Sequence, residues 1–173
     1  MIPKETIEDR ESIWKKIILV STSIILILLV VSYILASYPL FTIISSLSES
    51  KSAKNEIIVM NDFSVLFTEN TYEELQEYYN KDLSVEMAVC LKGIKVENYT
   101  IDEIYQPRII DQTFSHVLFE PCSKDTLILL HSHPFRKCIA SEQDLLTLNA
   151  IKQDNNDSLM IIMCEPDRFS VYG

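Results

Sequence analysis

The sequence predicts an α+β fold: a mixed β-sheet flanked by helices, preceded by one N-terminal transmembrane helix. Three observations predict it. Residues 17–36, "IILVSTSIILILLVVSYILA", carry no charge over twenty residues. After residue 56 the pattern changes to short apolar runs of strand length, bounded by polar turns. Two segments with helical character interrupt those runs without alternating regularly with them, which favours a mixed sheet over a doubly wound parallel one.

In chain order, residues 1–16 read as an N-terminal tail. Residues 17–36 follow as the span, since twenty residues at about 1.5 Å each cover the roughly 30 Å hydrocarbon core. Trp14, Lys15 and Lys16 suit one interface, and Tyr33 and Tyr38 the other. Ser21, Thr22 and Ser23 can bond back to the helix, and Pro39 is suited to end it. Two readings compete: a buried core helix, for which so uniform an apolar run is unusual in a domain this small, and a cleaved signal peptide, whose apolar core would be shorter, about 7–15 residues. Residues 37–56 read as a Ser/Lys-rich linker. The domain of residues 57–173 then offers strands at "EIIVM" and "FSVLF" and a helix at "TYEELQEYYN", capped by Asn70 or Thr71. Strands follow at "MAVCLKG", "IKVENYTIDEIYQ", "FSHVLFE" and "DTLILL". A helix at "SEQDLLTLNAIKQ" and closing strands at "LMIIMCE" and "FSVYG" complete it.

Composition excludes several functions. The net charge is −10; residues 1–47 balance at four basic and four acidic, so from Ser48 onward 11 basic side chains face 21 acidic ones. An acidic domain lacking a basic stripe does not suit nucleic acid, whose phosphates need neutralising. The only glycines are Gly93 and Gly173, so no glycine-rich phosphate loop exists. The four cysteines, Cys90, Cys122, Cys138 and Cys164, form no C-x-x-C pair; their even number permits disulfides without demanding them. Cys90, inside "MAVCL", reads as a small core residue. Four basic residues precede the span (Lys4, Arg10, Lys15, Lys16) and two follow it closely (Lys51, Lys54), which by the positive-inside rule favours an external domain. Sequons at Asn98 and Asn156 fit that side.

Chemistry concentrates in "HSHPFRKCIASEQD", residues 131–144, which holds two of the chain's three histidines. On a strand, His131 and His133 share one face. Pro134 ends the strand, Ser141 begins a helix, and Asp144 falls in its first turn. Two imidazoles and a carboxylate make three ligands for one zinc, with a fourth position left open as in catalytic sites. Ser141 and Asp144 also fit an ordinary helix cap with an acid in the first turn, and His131 fits a hydrogen-bonded core histidine.

This string matches H-x-H-x7-S-x2-D at every fixed position and resembles the signature of the JAMM (MPN+, Mov34/PAD-1) zinc metalloproteases. "EMAVCLKG", Glu86–Gly93, is similar to that family's glutamate-bearing segment. RadC-like proteins share a related string, so the resemblance points to a superfamily before it points to a substrate. It covers about residues 57–173 and implies a prokaryotic-type minimal JAMM/MPN domain with a cytidine-deaminase-like fold. It further implies one Zn2+ per domain on His131, His133 and Asp144, with Glu86 as general base and Ser141 stabilising the oxyanion. The implied reaction is peptide or isopeptide hydrolysis at the C-terminus of a ubiquitin-like protein or its conjugates. Such substrates are intracellular, which leans the domain toward the cytosol against the charge count. Glu120, before Pro121, rivals Glu86; Glu97 and Glu103 read as solvated. Cys138 reads as packed in its loop, as an extra ligand or as a redox-sensitive thiol, and His116 as a half-exposed strand residue without a role. Two other functions compete: a non-catalytic MPN-type scaffold, and a zinc peptidase whose substrate is unrelated to ubiquitin-like proteins.

Overall fold

The structure is a computed structural model that describes residues 5–37, 48–133 and 137–173. Tyr38, Pro39, Pro134 and half of the expected linker, residues 38–47, lie outside the described residues. The chain divides into two units, residues 1–40 and 41–173.

The first unit contains helix α1, Glu5–Ser37. Its segment Ile13–Ala36 is long and apolar enough to cross a membrane, and side chains 13–36 are all exposed. Thr22 Oγ1 donates to the Ile18 carbonyl at 2.8 Å and Ser23 Oγ to that of Leu19 at 2.9 Å, so these hydroxyls are satisfied inside the helix. The helix reaches well into the expected tail, because nothing between Glu5 and Lys16 is a proline or glycine that would stop it.

The second unit is α+β with a mixed sheet, as its patterning predicts. Eight strands form the main sheet: β1 (Lys51–Ser52), β2 (Ile57–Val59), β3 (Ser64–Phe67), β4 (Ala88–Lys95), β5 (Tyr99–Tyr105), β8 (Ile128–Ser132), β9 (Leu159–Glu165) and β10 (Arg168–Tyr172). They lie in the order β1-β10-β9-β8-β4-β5-β3-β2. β3–β5 and β8–β9 are parallel and the other neighbours antiparallel. β6 (Ile109–Gln112) and β7 (Val117–Phe119) form a separate hairpin. The unit also contains helices α2 (Glu69–Lys81) and α3 (Glu142–Asp154).

Several elements differ from expectation. Lys51 and Ser52, expected in a linker, pair with Phe169 and Arg168, and Ser50 is buried under the Arg168 guanidinium. Val96–Asn98 break the expected strand of residues 94–106 into a β4–β5 turn, where the Asn98 side chain accepts from the Ser64 backbone and hydroxyl. Helix α2 begins after Thr68, earlier than the two expected caps. β6 lies in "QPRIIDQ", whose short apolar pair, bracketed by polar residues, carries too little periodicity to predict a strand.

The central strands explain the layering. β8 and β9 read as near-continuous apolar runs because both of their faces are covered. Ile128 and Leu130 join Leu75 of α2 in the larger core, whereas Leu129 and Met160 pack with Leu148 of α3 in the smaller one. Strand alternation therefore aims His131, two residues after Leu129, at the α3 face.

Candidate metal centre

In the antiparallel ladder, Ala88 of β4 stands opposite His131 of β8. Continuing that register by two residues sets Glu86 opposite His133, and opposed residues share a face. The continuation is held by hydrogen bonds: Ser132 N donates to the Met87 carbonyl and Met87 N to Ser132 Oγ, both at 2.9 Å. On the other side, His133 N donates to the Met163 carbonyl at 3.0 Å, which extends the β8–β9 register and sets Cys164 beside His133. The row Glu86, His133, Cys164 thus crosses three strands on the face that α3 covers.

Asp144 reaches this row because Ser141 starts α3 there. Ser141 Oγ accepts from Asp144 N at 3.2 Å, and Ser141 N donates to Asp144 Oδ2 at 2.6 Å, a reciprocal capping box. The capping carboxylate still faces both imidazoles. His131 Nε2 lies 3.2 Å from Asp144 Oδ1, His133 Nε2 lies 3.4 Å from Asp144 Oδ2, and the two Nε2 atoms are 3.1 Å apart. Donors about 2.0–2.1 Å from a tetrahedral zinc stand roughly 3.3–3.4 Å from one another, so these separations fit one ion. His131 and His133 are 4 and 5 % exposed, which leaves their polar nitrogens little access to water. His133 Nδ1 donates to the Lys137 carbonyl at 3.1 Å, which turns the ring's other nitrogen, Nε2, into the lone-pair donor a metal needs. The group His131, His133 and Asp144 could therefore hold a metal ion.

The electrostatics follow from burial and neighbours. Burial pushes the Asp144 carboxyl up, but the facing His131 and His133 rings, together with the Ser141 cap, outweigh it and hold the group well below the ordinary carboxylate range. Burial raises Glu86; the fields of His133 and His131 pull it back in part, while Asp144 adds to the rise. Glu86 is 6 % exposed and lies within the fields of His131, His133 and Asp144. Glu120 is half exposed and pairs with Arg108 at 3.1 Å, and Glu103 pairs with Lys92 at 3.2 Å. Glu97 is exposed in the β4–β5 turn.

Sequence reasoning missed two features. All four cysteines are bridged, Cys90 to Cys122 and Cys138 to Cys164. Cys138 is neither a ligand nor a free thiol, and Cys90 is more than a core filler; periodicity cannot reveal partners 26 and 32 residues away. The second feature is the β6–β7 turn. Glu86 N donates to the Thr113 carbonyl at 2.7 Å, and His116 bonds Thr113 Oγ1 and Asp111 Oδ2, each at 2.8 Å. His116 therefore belongs to the turn that carries the backbone anchor of Glu86. No protein-family model and no curated protein matches the chain.

Proposed function

We propose that this chain is a membrane-anchored, zinc-dependent peptidase or isopeptidase of the JAMM/MPN type, held by α1 and acting through the site on β4, β8 and α3. The observation that carries the reading is the convergence of His131 Nε2, His133 Nε2 and the Asp144 carboxylate at zinc-ligand spacing, with the buried Glu86 on the same face. The finer fold assignment, a cytidine-deaminase-like JAMM/MPN domain, belongs to this proposal and rests on the signature at residues 131–144 and the segment from Glu86.

Zinc held there would polarise a scissile carbonyl and make water acidic near neutral pH. Glu86, whose carboxyl is raised by burial, takes the proton of the attacking water and returns it to the leaving amine. Ser141 Oγ uses a lone pair to cap α3, and its O–H remains to donate to the oxyanion that develops on the carbonyl. His133 is kept in the ligating tautomer by Lys137, and Asp144 stays ionised.

The resemblance points this chemistry at the C-terminus of a ubiquitin-like protein or its conjugates. A zinc peptidase with a different substrate is favoured by one observation, the two disulfides. The test is elemental analysis and peptidase assay of the full-length protein in detergent. About one zinc per chain and chelator-sensitive hydrolysis are expected. A chain that takes up no zinc on reconstitution is not this enzyme.

A further inference from the structure

We infer that residues 48–173 lie on the oxidising, non-cytosolic side of the membrane, and that the substrate is a polypeptide of that side rather than a cytosolic ubiquitin-like conjugate. The substrate clause rests on the hydrolase reading above; the side of the membrane does not.

Every cysteine in the chain is bridged, and each bridge joins separate elements. Cys90 of β4 is tied to Cys122 after β7, and Cys138 of the β8–α3 loop to Cys164 of β9. Their Cα atoms stand 5.9 and 5.2 Å apart, inside the range a disulfide spans. Cytosolic thiols are kept reduced, whereas secreted and extracytoplasmic domains keep such bridges. The charge flanking α1 points the same way, with four basic residues before the span and Lys51 and Lys54 after it. The thiol pairing and the flanking charge are independent, since neither set of residues enters the other argument.

The bridges also bear on the site. Cys90 follows Ala88 by two residues on the face that carries Glu86 and His131. Cys164 stands beside His133, and Cys138 follows Lys137, the residue whose carbonyl orients His133. Tyr172 holds the same loop, accepting from Ala140 N at 3.0 Å. Reduced, Cys164 and Cys138 would place two soft sulfur donors next to a centre that must keep one position open. Oxidised, the sulfurs are bonded to each other and the loop is tied to β9. A site built this way is suited to a compartment that keeps the bridge closed. Each bridge forms by exchange with a disulfide oxidant of that compartment: two cysteine thiols give up two protons and two electrons, and the oxidant leaves as a dithiol.

The test uses the full-length chain in the membrane of living cells. Cells are quenched in acid, the protein is denatured, and a mass-tagged maleimide is added with or without prior reduction. No tag without reduction and four tags after it are expected; four tags without reduction overturn the inference. In parallel, protease is added to intact cells, or to spheroplasts where a wall intervenes. Loss of the domain is expected, and a domain that survives until the membrane is broken overturns the inference. Zinc content and hydrolysis of the purified chain are read separately. Absent zinc removes the hydrolase reading and the substrate clause with it, while the thiol count and protease access still decide the side.

Discussion

Two histidine–aspartate pairs in this domain look alike on distance and differ in everything else. His116 Nε2 lies 2.8 Å from Asp111, closer than the 3.2 Å between His131 Nε2 and Asp144. Yet the His116 and Asp111 side chains are 52 and 61 % exposed, and both ring nitrogens of His116 already have partners in the hairpin turn. Water screens that pair and its geometry is complete. The buried centre is the reverse: two Nε2 atoms and a carboxylate point at one spot, their side chains 5 to 17 % exposed, with His133 fixed through its far nitrogen. A group able to hold a metal is marked by convergence and burial, and the shorter contact is the less informative one.

The sharpest way to break the comparison is to separate ligand from base. Asp144→Asn should weaken zinc binding by about 100-fold or more, since losing even an outer-sphere partner of a ligand costs about 10–100-fold. Glu86→Gln should keep the zinc and lower turnover by about 10²–10⁴-fold, because an amide accepts no proton at neutral pH. Metal content and kcat, measured on both variants, should fall together in the first and part in the second. A scaffold without catalysis would show neither effect on a rate, and normal turnover in both variants would rule out the mechanism.

Next in size is the bridge beside His133. Cys138→Ser combined with Cys164→Ser should lower the unfolding free energy by about 3–4 kcal/mol, from the chain freedom regained over a 26-residue separation. Urea denaturation of the solubilised chain measures it. Cys90→Ser with Cys122→Ser should cost a similar amount, its separation being 32 residues. Only the first pair should also speed zinc loss to a chelator, because only Cys138 adjoins the Lys137 carbonyl that orients His133. Equal rates of zinc loss from both double variants would show that the bridge is remote from the centre in effect.

The centre was legible in the sequence because its parts are local. His131 and His133 share a strand face at i and i+2, and the Ser141–Asp144 spacing is that of a capping box, so both follow from short periods. Glu86 follows from the resemblance and from a carboxylate standing beside the apolar run "MAVCL"; its place beside His133 depends on β4–β8 register, which no local pattern encodes. The α+β class and mixed sheet followed from run lengths, while the strand order and the β4–β5 turn did not. Val96-Glu97-Asn98 contains no glycine or proline to mark that turn. The bridges and the hairpin anchor are tertiary facts of the same kind.

Glu86 allows a finer measurement that separates burial from catalysis. Its folded-state pKa is raised, so its contribution to metal-free stability is fully present below the unfolded value, about 4.3, and is lost as pH rises through the folded value. Glu86→Gln cannot ionise and should therefore be the more stable metal-free protein at neutral pH, with the difference shrinking as the pH approaches 4. Thermal unfolding in chelator across that range reads it. A variant less stable than the parent at pH 7 would mean that the charged carboxylate is held by partners rather than opposed by burial.

The smallest expected effect belongs to the exposed pair. His116→Ala removes one contact to Asp111 and one to Thr113, both near solvent, and pairs of that exposure are worth under about 1 kcal/mol. Zinc content should not change, since His116 supplies no ligand atom. Turnover should stay within about threefold, because Glu86 is anchored through the Thr113 main-chain carbonyl and not through the imidazole. The hairpin retains its β6–β7 pairing and the Thr113 N to His116 carbonyl bond, at 2.8 Å, whatever side chain residue 116 carries. The variant thus asks whether the turn or the ring sets the base. A loss of tenfold or more in kcat at unchanged zinc and unchanged KM would give His116 a positioning role and erase the contrast between the two pairs. Rescue by Asn at that position, which can still bond Thr113 and Asp111, would then assign the role to hydrogen bonding rather than to charge.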